Sequence, residues 1–242
     1  MREHLLTLAG LALGAAVSLA PAGRAAAAPV TAIDILLDPD ATMVTASEAA
    51  NADLLKTYPK GFSLDASHRP HITVLQSYVR TADLDKVYAA ADKVLASEAY
   101  DRWKLRAVKY YYLPLGDIGL AGIVVQPTPE LLGLQTALIA AVAPFAVKTA
   151  TAEAFVTTAA EPDVNQPTMD YITAFVTEHS GANYNPHVTT GIGTKVFLDA
   201  LLARPFPEFT FSPAGASVYQ LANFGTASRL LKTLSSGKSL EH

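Results

Sequence analysis

The stretch SHRPHITVLQ, Ser67 to Gln76, places a histidine at the start of an apolar run. A second stretch of the same kind, NPHVTTGIG, lies much later in the chain at Asn185 to Gly193. Aliphatic and β-branched residues dominate both runs, which predicts two strands that begin at His71 and His187. Each histidine follows a proline, and a proline suits the first position of a strand because it has no N–H group to donate.

Side chains two residues apart in a strand point to the same face of a sheet. His71 and Thr73 therefore share one face of the first strand, and the apolar residues beside them face the core. His187 and Thr189 form the same pair in the second strand, although Thr190 stands where the alternation requires an apolar residue. The pattern is compatible with one shared site and also with two unrelated histidines.

Strand and helix patterns alternate along the rest of the chain. Strands are predicted at Val30 to Asp38, in a hairpin from Trp103 to Gln126 that turns at Gly116-Asp117, and in a pair around Pro213-Gly215. Helices are predicted at Ala46 to Leu55, after Thr81 as N-cap, from Pro129 to Ala143, from Met169 to His179 and after Thr194. A loop is predicted at Ala159 to Thr168. A histidine strand, a helix and a hairpin follow one another twice, which predicts an α+β fold with two lobes.

The composition argues against several classes of function. The chain has 18 Lys and Arg against 22 Asp and Glu, a net charge of −4, and no basic run. A long nucleic acid is therefore not an expected partner, because phosphate neutralisation supplies most of that affinity. A small phosphate-bearing ligand needs few donors and remains open. The absence of cysteine excludes a disulfide scaffold and a lipoprotein, and no Gly-rich dinucleotide or P-loop motif is present.

The first 27 residues have the pattern of a secretory signal peptide. A basic residue precedes an uncharged Leu/Ala/Gly run, Pro21 ends that run, and alanines at 25 and 27 suit cleavage after Ala27. Residues 28–239 are expected to form a single bilobal domain without a stable membrane anchor after cleavage. We expect the mature protein in the periplasm or outside the cell, and Leu240 to His242 lie beyond the expected domain.

The motifs PHITV, Pro70 to Val74, and PHVTT, Pro186 to Thr190, resemble those of the 2H phosphoesterases, which include RNA-ligase-like proteins and cyclic nucleotide phosphodiesterases. That family carries two His-h-Thr/Ser-h motifs, where h is apolar, and the closing SVYQLANFGTASRLLKTL resembles its final strand pair. The chain departs from the family at Thr190 and in a longer separation between the motifs. The resemblance implies that each lobe is an antiparallel sheet backed by helices, with both His-x-Thr strands in a central cleft.

The resemblance also implies a function that suits the chemistry of these residues. His71 and His187 would act as an acid/base pair, since the ordinary pKa of histidine keeps both forms available near neutral pH. Thr73 and Thr189 would donate hydrogen bonds to non-bridging phosphate oxygens. The reaction would open a 2′,3′-cyclic phosphate or a related small nucleotide phosphodiester, without a metal or other cofactor.

Aromatic residues on strands near the expected cleft are candidates for binding the rest of the substrate. Tyr112, which shares a face with Tyr110, and Tyr219 are assigned to substrate binding, and Phe224 is a further aromatic residue in the same region. For any single one of them, a place in the hydrophobic core or on the solvent-exposed face of a hairpin is the more ordinary role. The oligomeric state is left open.

Two other functions compete with this interpretation. His68, His71, His179 and His187 could ligate zinc in a metal-dependent hydrolase, although no carboxylate lies next to the histidine strands in sequence and His179 suits the end of a helix. An exported, non-catalytic protein could instead bind a ligand in the same cleft. A pH–rate profile and treatment with a chelator distinguish these alternatives.

Overall fold

The computed structural model describes residues 28–159 and 161–235. The predicted signal peptide, residues 1–27, lies outside the described residues. The strands are β1 Val30–Pro39, β2 Ile72–Arg80, β3 Leu105–Leu115, β4 Ile118–Val125, β5 Ala146–Val147, β6 His187–Thr194, β7 Phe209–Phe211, β8 Pro213–Leu221 and β9 Ala227–Leu234. The α-helices are α1 Ala41–Thr57, α2 Leu84–Leu95, α3 Pro129–Val142, α4 Gln166–Glu178 and α5 Lys195–Leu202.

The strands form two sheets in which all paired neighbours are antiparallel. The first sheet has the order β5-β2-β1-β8-β9 and the second has the order β6-β4-β3-β7. Helices α2, α3 and α4 pack with the first sheet, and α1 and α5 pack with the second. The fold is therefore α+β with two lobes, each an antiparallel sheet backed by helices, as the sequence and the family resemblance predict. None of the described helices is long and apolar enough to cross a membrane.

One hydrophobic core joins the two lobes. Alternate residues of β1, which are Ile33, Ile35 and Leu37, have no exposed surface. They belong to the same core cluster as Ile123 of β4 and Val188 of β6, which lie in the second sheet. Full burial of an aliphatic side chain stabilises a fold by roughly 1.5–3 kcal/mol. The shared core thus holds the two sheets, and with them the two histidine strands, in a fixed relation.

The structure corrects one strand prediction. The strands around Pro213-Gly215 do not form a hairpin, because β7 pairs with β3 in the second sheet and β8 pairs with β1 in the first. Ser212, between these strands, exchanges two hydrogen bonds with Asp40, each 2.9 Å long. These bonds fix the point at which the chain crosses from one sheet to the other. The hairpin at the end of the chain is formed by β8 and β9.

Three helices begin at other residues than predicted. Helix α1 begins at Ala41 and not at Ala46, because the side chain of Asp40 caps it. The Thr81 hydroxyl bonds that of Thr31 and does not cap a helix, so α2 begins only at Leu84 after a short 3₁₀ turn. Helix α4 begins inside the predicted loop, because the Asn165 side chain accepts a hydrogen bond from the backbone N–H of Thr168 and caps it.

Candidate active site

The two His-x-Thr motifs meet in one cleft. A cavity of about 110 Å³ is lined by His71 and Thr73 from the start of the β2 region and by His187 and Thr189 of β6. Because β2 belongs to the first sheet and β6 to the second, each lobe contributes one motif. A second cavity of about 180 Å³ adjoins the first and shares Thr73 and His187 with it.

The alternation predicted for the motifs is present in both strands. Ile72 and Val188, the apolar residues inside the motifs, are fully buried in the shared core. The histidine and threonine on either side of each point to the opposite face, where they line the cleft. The core therefore fixes the direction in which each pair projects.

Both motif strands are irregular directly after the threonine. In β2, Thr73 pairs with Leu36 and Leu75 pairs with Ile35, so that Val74 has no partner on β1. In β6, Thr189 and Gly191 pair with successive residues of β4, so that Thr190 has no partner. Both are β-bulges, which bend a strand and redirect its side chains and are frequent beside active sites. The polar Thr190 is thus a bulge residue and stands outside the regular alternation of the strand.

A buried side-chain amide supports each bulge. Gln135 of α3 donates to the carbonyl of Val74 at 3.3 Å, and Asn51 of α1 donates to the carbonyl of Thr190 at 2.8 Å. The oxygen of each amide accepts a backbone N–H from a loop, that of Gly181 and Leu64 respectively. The two lobes therefore support their motifs in the same way, although their sequences show no detectable repeat.

A direct hydrogen bond ties one motif to the segment that leads into the other. The phenol of Tyr184, just ahead of β6, donates to the carbonyl of Thr73 at 2.5 Å. Tyr184 is buried, and burial raises the pKa of its phenol well above the ordinary value, so the group stays a donor. This contact helps to keep the two motifs in register across the cleft.

His71 is held between a backbone carbonyl and a buried carboxylate. Its Nδ1 lies 2.6 Å from the carbonyl oxygen of Arg69, and its Nε2 lies 3.4 Å from Oδ2 of Asp34. Burial acts to lower the pKa of His71, but the hydrogen bond and charge of Asp34, the Arg69 carbonyl and the charge of Asp38 act the other way, and the pKa is raised. The environment thus favours the imidazolium form of this histidine.

His187 has a different environment. Its Nδ1 lies 2.8 Å from the carbonyl oxygen of Asn185, and its Nε2 lies 3.2 Å from the hydroxyl of Tyr111. Because Nδ1 faces a carbonyl it carries the proton, and Nε2 accepts from the phenol. Burial is the largest effect on the pKa of His187 and lowers it. The hydrogen bond to the Asn185 carbonyl raises the pKa, the charge of His71 lowers it and that of Asp34 raises it, and the net shift is downward. The environment favours the neutral form.

Asp34 is the main polar residue of the site that the motif pattern does not reveal. It lies in β1 and has no exposed surface. Its Oδ2 accepts hydrogen bonds from the Thr73 hydroxyl at 2.7 Å and from Nε2 of Gln76 at 3.0 Å, in addition to the contact with His71. The signal in the sequence is a single acidic residue in the middle of the apolar run that forms β1.

The tyrosines assigned to substrate binding lie elsewhere. Tyr112 points away from the cleft and donates to Asp199 of α5 at 2.5 Å. Tyr219 packs against Leu36 and Ala227 and does not line the cleft. The predicted pairing of alternate tyrosines on one face holds, but the face toward the cleft carries Tyr111. Their positions therefore give no support to the role predicted for Tyr112 and Tyr219.

Helix α4 and the turn after β8 supply further lining residues. Tyr171 of α4 reaches the cleft, and Asn165 and Thr168 at the start of that helix line it at the end of the predicted loop. Phe224, expected near the cleft, also lines it and has a φ of 59°. A bulky residue rarely adopts this left-handed conformation, which is stabilised here by a hydrogen bond from its N–H to the Thr168 hydroxyl.

The other two histidines considered as metal ligands have local partners. His68 stacks on Phe62 and contacts carboxylate oxygens of Asp65 at 3.3 Å and Glu161 at 3.5 Å. His179 caps the end of α4, as predicted, and stacks on Tyr171. Within residues 28–159 and 161–235, no group of three or more His, Cys, Asp or Glu side chains is arranged to hold a metal ion.

Comparison with known proteins identifies the fold. No family model and no curated protein matches the sequence. Among solved structures, TT0787 of Thermus thermophilus superposes with a TM-score of 0.51 at 14% identity, over 88% of this chain and 100% of that chain. TT0787, LigT, Usb1 and a further structure described as a phosphoesterase, all among the matches, are members of the 2H phosphoesterase superfamily. The chain has the 2H phosphoesterase fold.

Two further structures were found with lower scores. E. coli LigT complexed with NADP+ has a TM-score of 0.45 at 13% identity, covering 87% of this chain and 100% of that chain. Usb1 of Kluyveromyces marxianus has a TM-score of 0.40 at 9% identity, covering 85% and 97%. The fold assignment rests on TT0787, because the other two scores are too low to carry it. At such identities the likeness establishes the fold alone.

Proposed function

We propose that this chain is a metal-independent phosphoesterase that opens 2′,3′-cyclic phosphates or related small nucleotide phosphodiesters. The observation that carries the proposal is the meeting of His71 and His187 in one cleft, each on the strand of a different lobe and each beside its threonine. The 2H phosphoesterase fold supports the same conclusion.

The reaction needs one proton removed and one proton supplied. A water oxygen attacks phosphorus while one imidazole takes a proton from that water. The bond from phosphorus to one ribose oxygen breaks, and the other imidazole protonates the departing oxygen. Atoms and charge balance because the diester becomes a monoester plus a hydroxyl, and both histidines regain their starting forms through exchange with solvent.

Hydroxyl groups would stabilise the negative charge that grows on the non-bridging oxygens. Thr189 lines the cleft beside His187, and its hydroxyl makes no hydrogen bond within the described part of the chain, so it can donate to the phosphate. The Thr73 hydroxyl donates to Asp34 at 2.7 Å and would exchange this acceptor for a phosphate oxygen. Donors placed where charge develops are among the largest contributions to catalysis.

Phosphorus NMR of the purified mature protein with a panel of 2′,3′-cyclic nucleotides tests the proposal. We expect conversion to a monoester, and a loss of about 10²–10⁴-fold in His71→Ala and in His187→Ala, the range for a general acid or base. His179→Ala is the matched control, since this histidine caps α4 and lines only the adjoining second cavity, where it stacks on Tyr171, and not the cavity that holds both motifs. It should retain most of the rate.

Other outcomes favour the competing functions. Loss of turnover in EDTA, restored by zinc, would favour the metal-dependent hydrolase. Binding of cyclic nucleotides without turnover across the range from acidic to alkaline pH would favour the non-catalytic binding protein. Full activity in either histidine variant would remove that histidine from the mechanism.

We also propose that the protein acts outside the cytoplasm, on the basis of the signal-peptide pattern in residues 1–27. Export would suit the capture of phosphodiesters from the surroundings of the cell. Fractionation of cells that express the full chain tests this, and mass spectrometry of the exported form should give an N-terminus at Ala28.

A further inference from the structure

Asp34 combines complete burial with contacts to both residues of the first motif. Its neighbours Ile33 and Ile35 point into the shared core, so Asp34 points to the opposite face of the sheet, toward the cleft residues. Gln76 of β2 is the residue paired with Asp34 of β1, and its side chain donates to the Asp34 carboxylate. The bulge at Val74 brings the hydroxyl of Thr73 to the same carboxylate. A carboxylate in this position is unusual, because a buried charge without a partner destabilises a fold by several kcal/mol.

The arrangement of His71 shows which partner the carboxylate has. Since Nδ1 lies 2.6 Å from the Arg69 carbonyl, it must carry a proton and donate it. In a neutral ring Nε2 would then present its lone pair to Oδ2 of Asp34 at 3.4 Å, which is repulsive. An imidazolium presents an N–H instead. This histidine makes the one ion pair that Asp34 has within the described chain.

We propose that Asp34 is a positioning residue that holds His71 as the imidazolium, so that His71 is the proton donor of the pair and His187 the base. The assignment of roles rests on the proposed phosphoesterase function, whereas the effect of Asp34 on His71 does not. The Nε2 to Oδ2 distance of 3.4 Å is long for a hydrogen bond, so the proton is not locked to the carboxylate and can pass to the departing ribose oxygen.

In the described part of the chain, no carboxylate contacts His187 as Asp34 contacts His71. The Nε2 atom of His187 meets the hydroxyl of Tyr111, a neutral donor that favours the unprotonated ring. Thr73 donates to Asp34, whereas the hydroxyl of Thr189 has no hydrogen-bond partner in residues 28–159 and 161–235. The two motifs are therefore equal in sequence pattern but unequal in charge, which suits one acid and one base.

The other ionisable groups around the two rings do not oppose this assignment. The charge of Asp38, also on β1, acts in the same direction as that of Asp34 on His71. The side chains of His68, Arg69 and His179 also line cavities that these rings share, but none of them is among the groups that shift the pKa of either ring. The other ionisable neighbours in the described part of the chain are phenols. Burial raises the pKa of Tyr171 to about 12 and that of the other two above their ordinary value, so they remain neutral at physiological pH. They are Tyr111 of β3, Tyr171 of α4 and Tyr184 ahead of β6.

Histidine titration by NMR tests the effect of Asp34 without a substrate. In the wild-type protein labelled with ¹⁵N-histidine, we expect the pKa of His71 above its ordinary 6.5 and that of His187 below it. In Asp34→Asn, an isosteric change that removes the charge, the pKa of His71 should fall below the wild-type value. Asp38→Asn is the matched control, because it removes a charge from the same strand whose effect on His71 is the smallest of those present. Its shift should be clearly smaller.

The pH dependence of kcat/KM tests the consequence for catalysis. The acidic limb should report His187 and the alkaline limb His71, on either side of 6.5. Asp34→Asn should move the alkaline limb to lower pH. At a pH above that limb, kcat/KM of the variant should be about tenfold below that of the wild type for each pH unit by which the limb has moved. The deficit should close at low pH, where His71 is protonated in both proteins. It should also shrink with a p-nitrophenyl diester, whose leaving group departs without a proton.

Each result bears on a separate claim. An unchanged pKa of His71 in Asp34→Asn overturns the role of Asp34 even if the enzyme turns over cyclic phosphates. A shifted pKa without turnover of any phosphodiester overturns the proposed function and leaves the effect of Asp34 intact. If the variant does not fold, the wild-type titration decides, because a pKa of His71 below that of His187 contradicts the proposal.

Discussion

Replacing Asn51 with alanine should destabilise the protein and disturb the second motif. Asn51 is 5% exposed and makes three hydrogen bonds through its side-chain amide. The nitrogen donates to the carbonyls of Phe62 at 3.0 Å and Thr190 at 2.8 Å, and the oxygen accepts from the N–H of Leu64 at 3.2 Å. These bonds join α1, the segment ahead of His71 and the bulge of β6.

The expected loss follows from the number of bonds and the burial of their partners. At about 1 kcal/mol for each hydrogen bond, the alanine variant loses about 3 kcal/mol in free energy of unfolding. The backbone groups left without a partner in the interior add to this figure. A change of this size is a large part of the roughly 5–15 kcal/mol by which a domain is stable.

Urea unfolding followed by the fluorescence of Trp103, the single tryptophan of the chain, measures the effect. Asn183→Ala is the control, since Asn183 is exposed, and it should change the stability by less than about 0.5 kcal/mol. A loss below about 1 kcal/mol in Asn51→Ala, the value of a single hydrogen bond, would show that the bulge is supported by other contacts and would refute the reasoning.

Two further predictions follow from the contacts of the cleft. Tyr111→Phe removes the donor to Nε2 of His187, so the pKa of His187 should rise and the acidic limb of the pH–rate profile should move to higher pH, whereas Tyr112→Phe, outside the cleft, should leave that limb in place. Gly122→Ala should destabilise the protein by about 1–3 kcal/mol in urea unfolding, because its Cβ would lie 2.9 Å from the carbonyl oxygen of Val188. The control is Gly133→Ala on α3, where a Cβ would meet no atom within 4 Å, and this change should stabilise the protein by about 0.5–1 kcal/mol. Equal changes in stability in the two glycine variants would contradict the packing described for Gly122.

The sequence predicts the parts of the site that obey local rules. The alternation of side chains in a strand depends on neighbouring residues alone, so the projection of the two His-x-Thr pairs could be predicted without the fold. The turn at Gly116 could be predicted for the same reason, since its φ of 72° suits glycine. Both features depend only on residues that are adjacent in the sequence.

The remaining features depend on contacts between distant segments. Tyr110 and Tyr112 share one face of β3, as the alternation predicts. The position of the other sheet decides which face meets the cleft, and that face carries Tyr111. In the sequence, Thr190 only breaks the apolar alternation. The hydrogen bond from Asn51, far away in the chain, that supports the bulge at Thr190 is visible only in the fold. Asp34 resembles an isolated charge in β1 until Thr73 and His71, far along the chain, come to lie against it.

The order of the first sheet has a consequence for truncated forms of the protein. Strand β1, which carries Asp34, lies between β2 near the start of the chain and β8 near its end. A fragment that stops after β6 would contain both motifs in full, yet the lobe of His71 would lack two of its five strands. The presence of both histidines in a shortened product is therefore no sign that the cleft has formed, because the last-made strands complete the lobe that holds the first histidine.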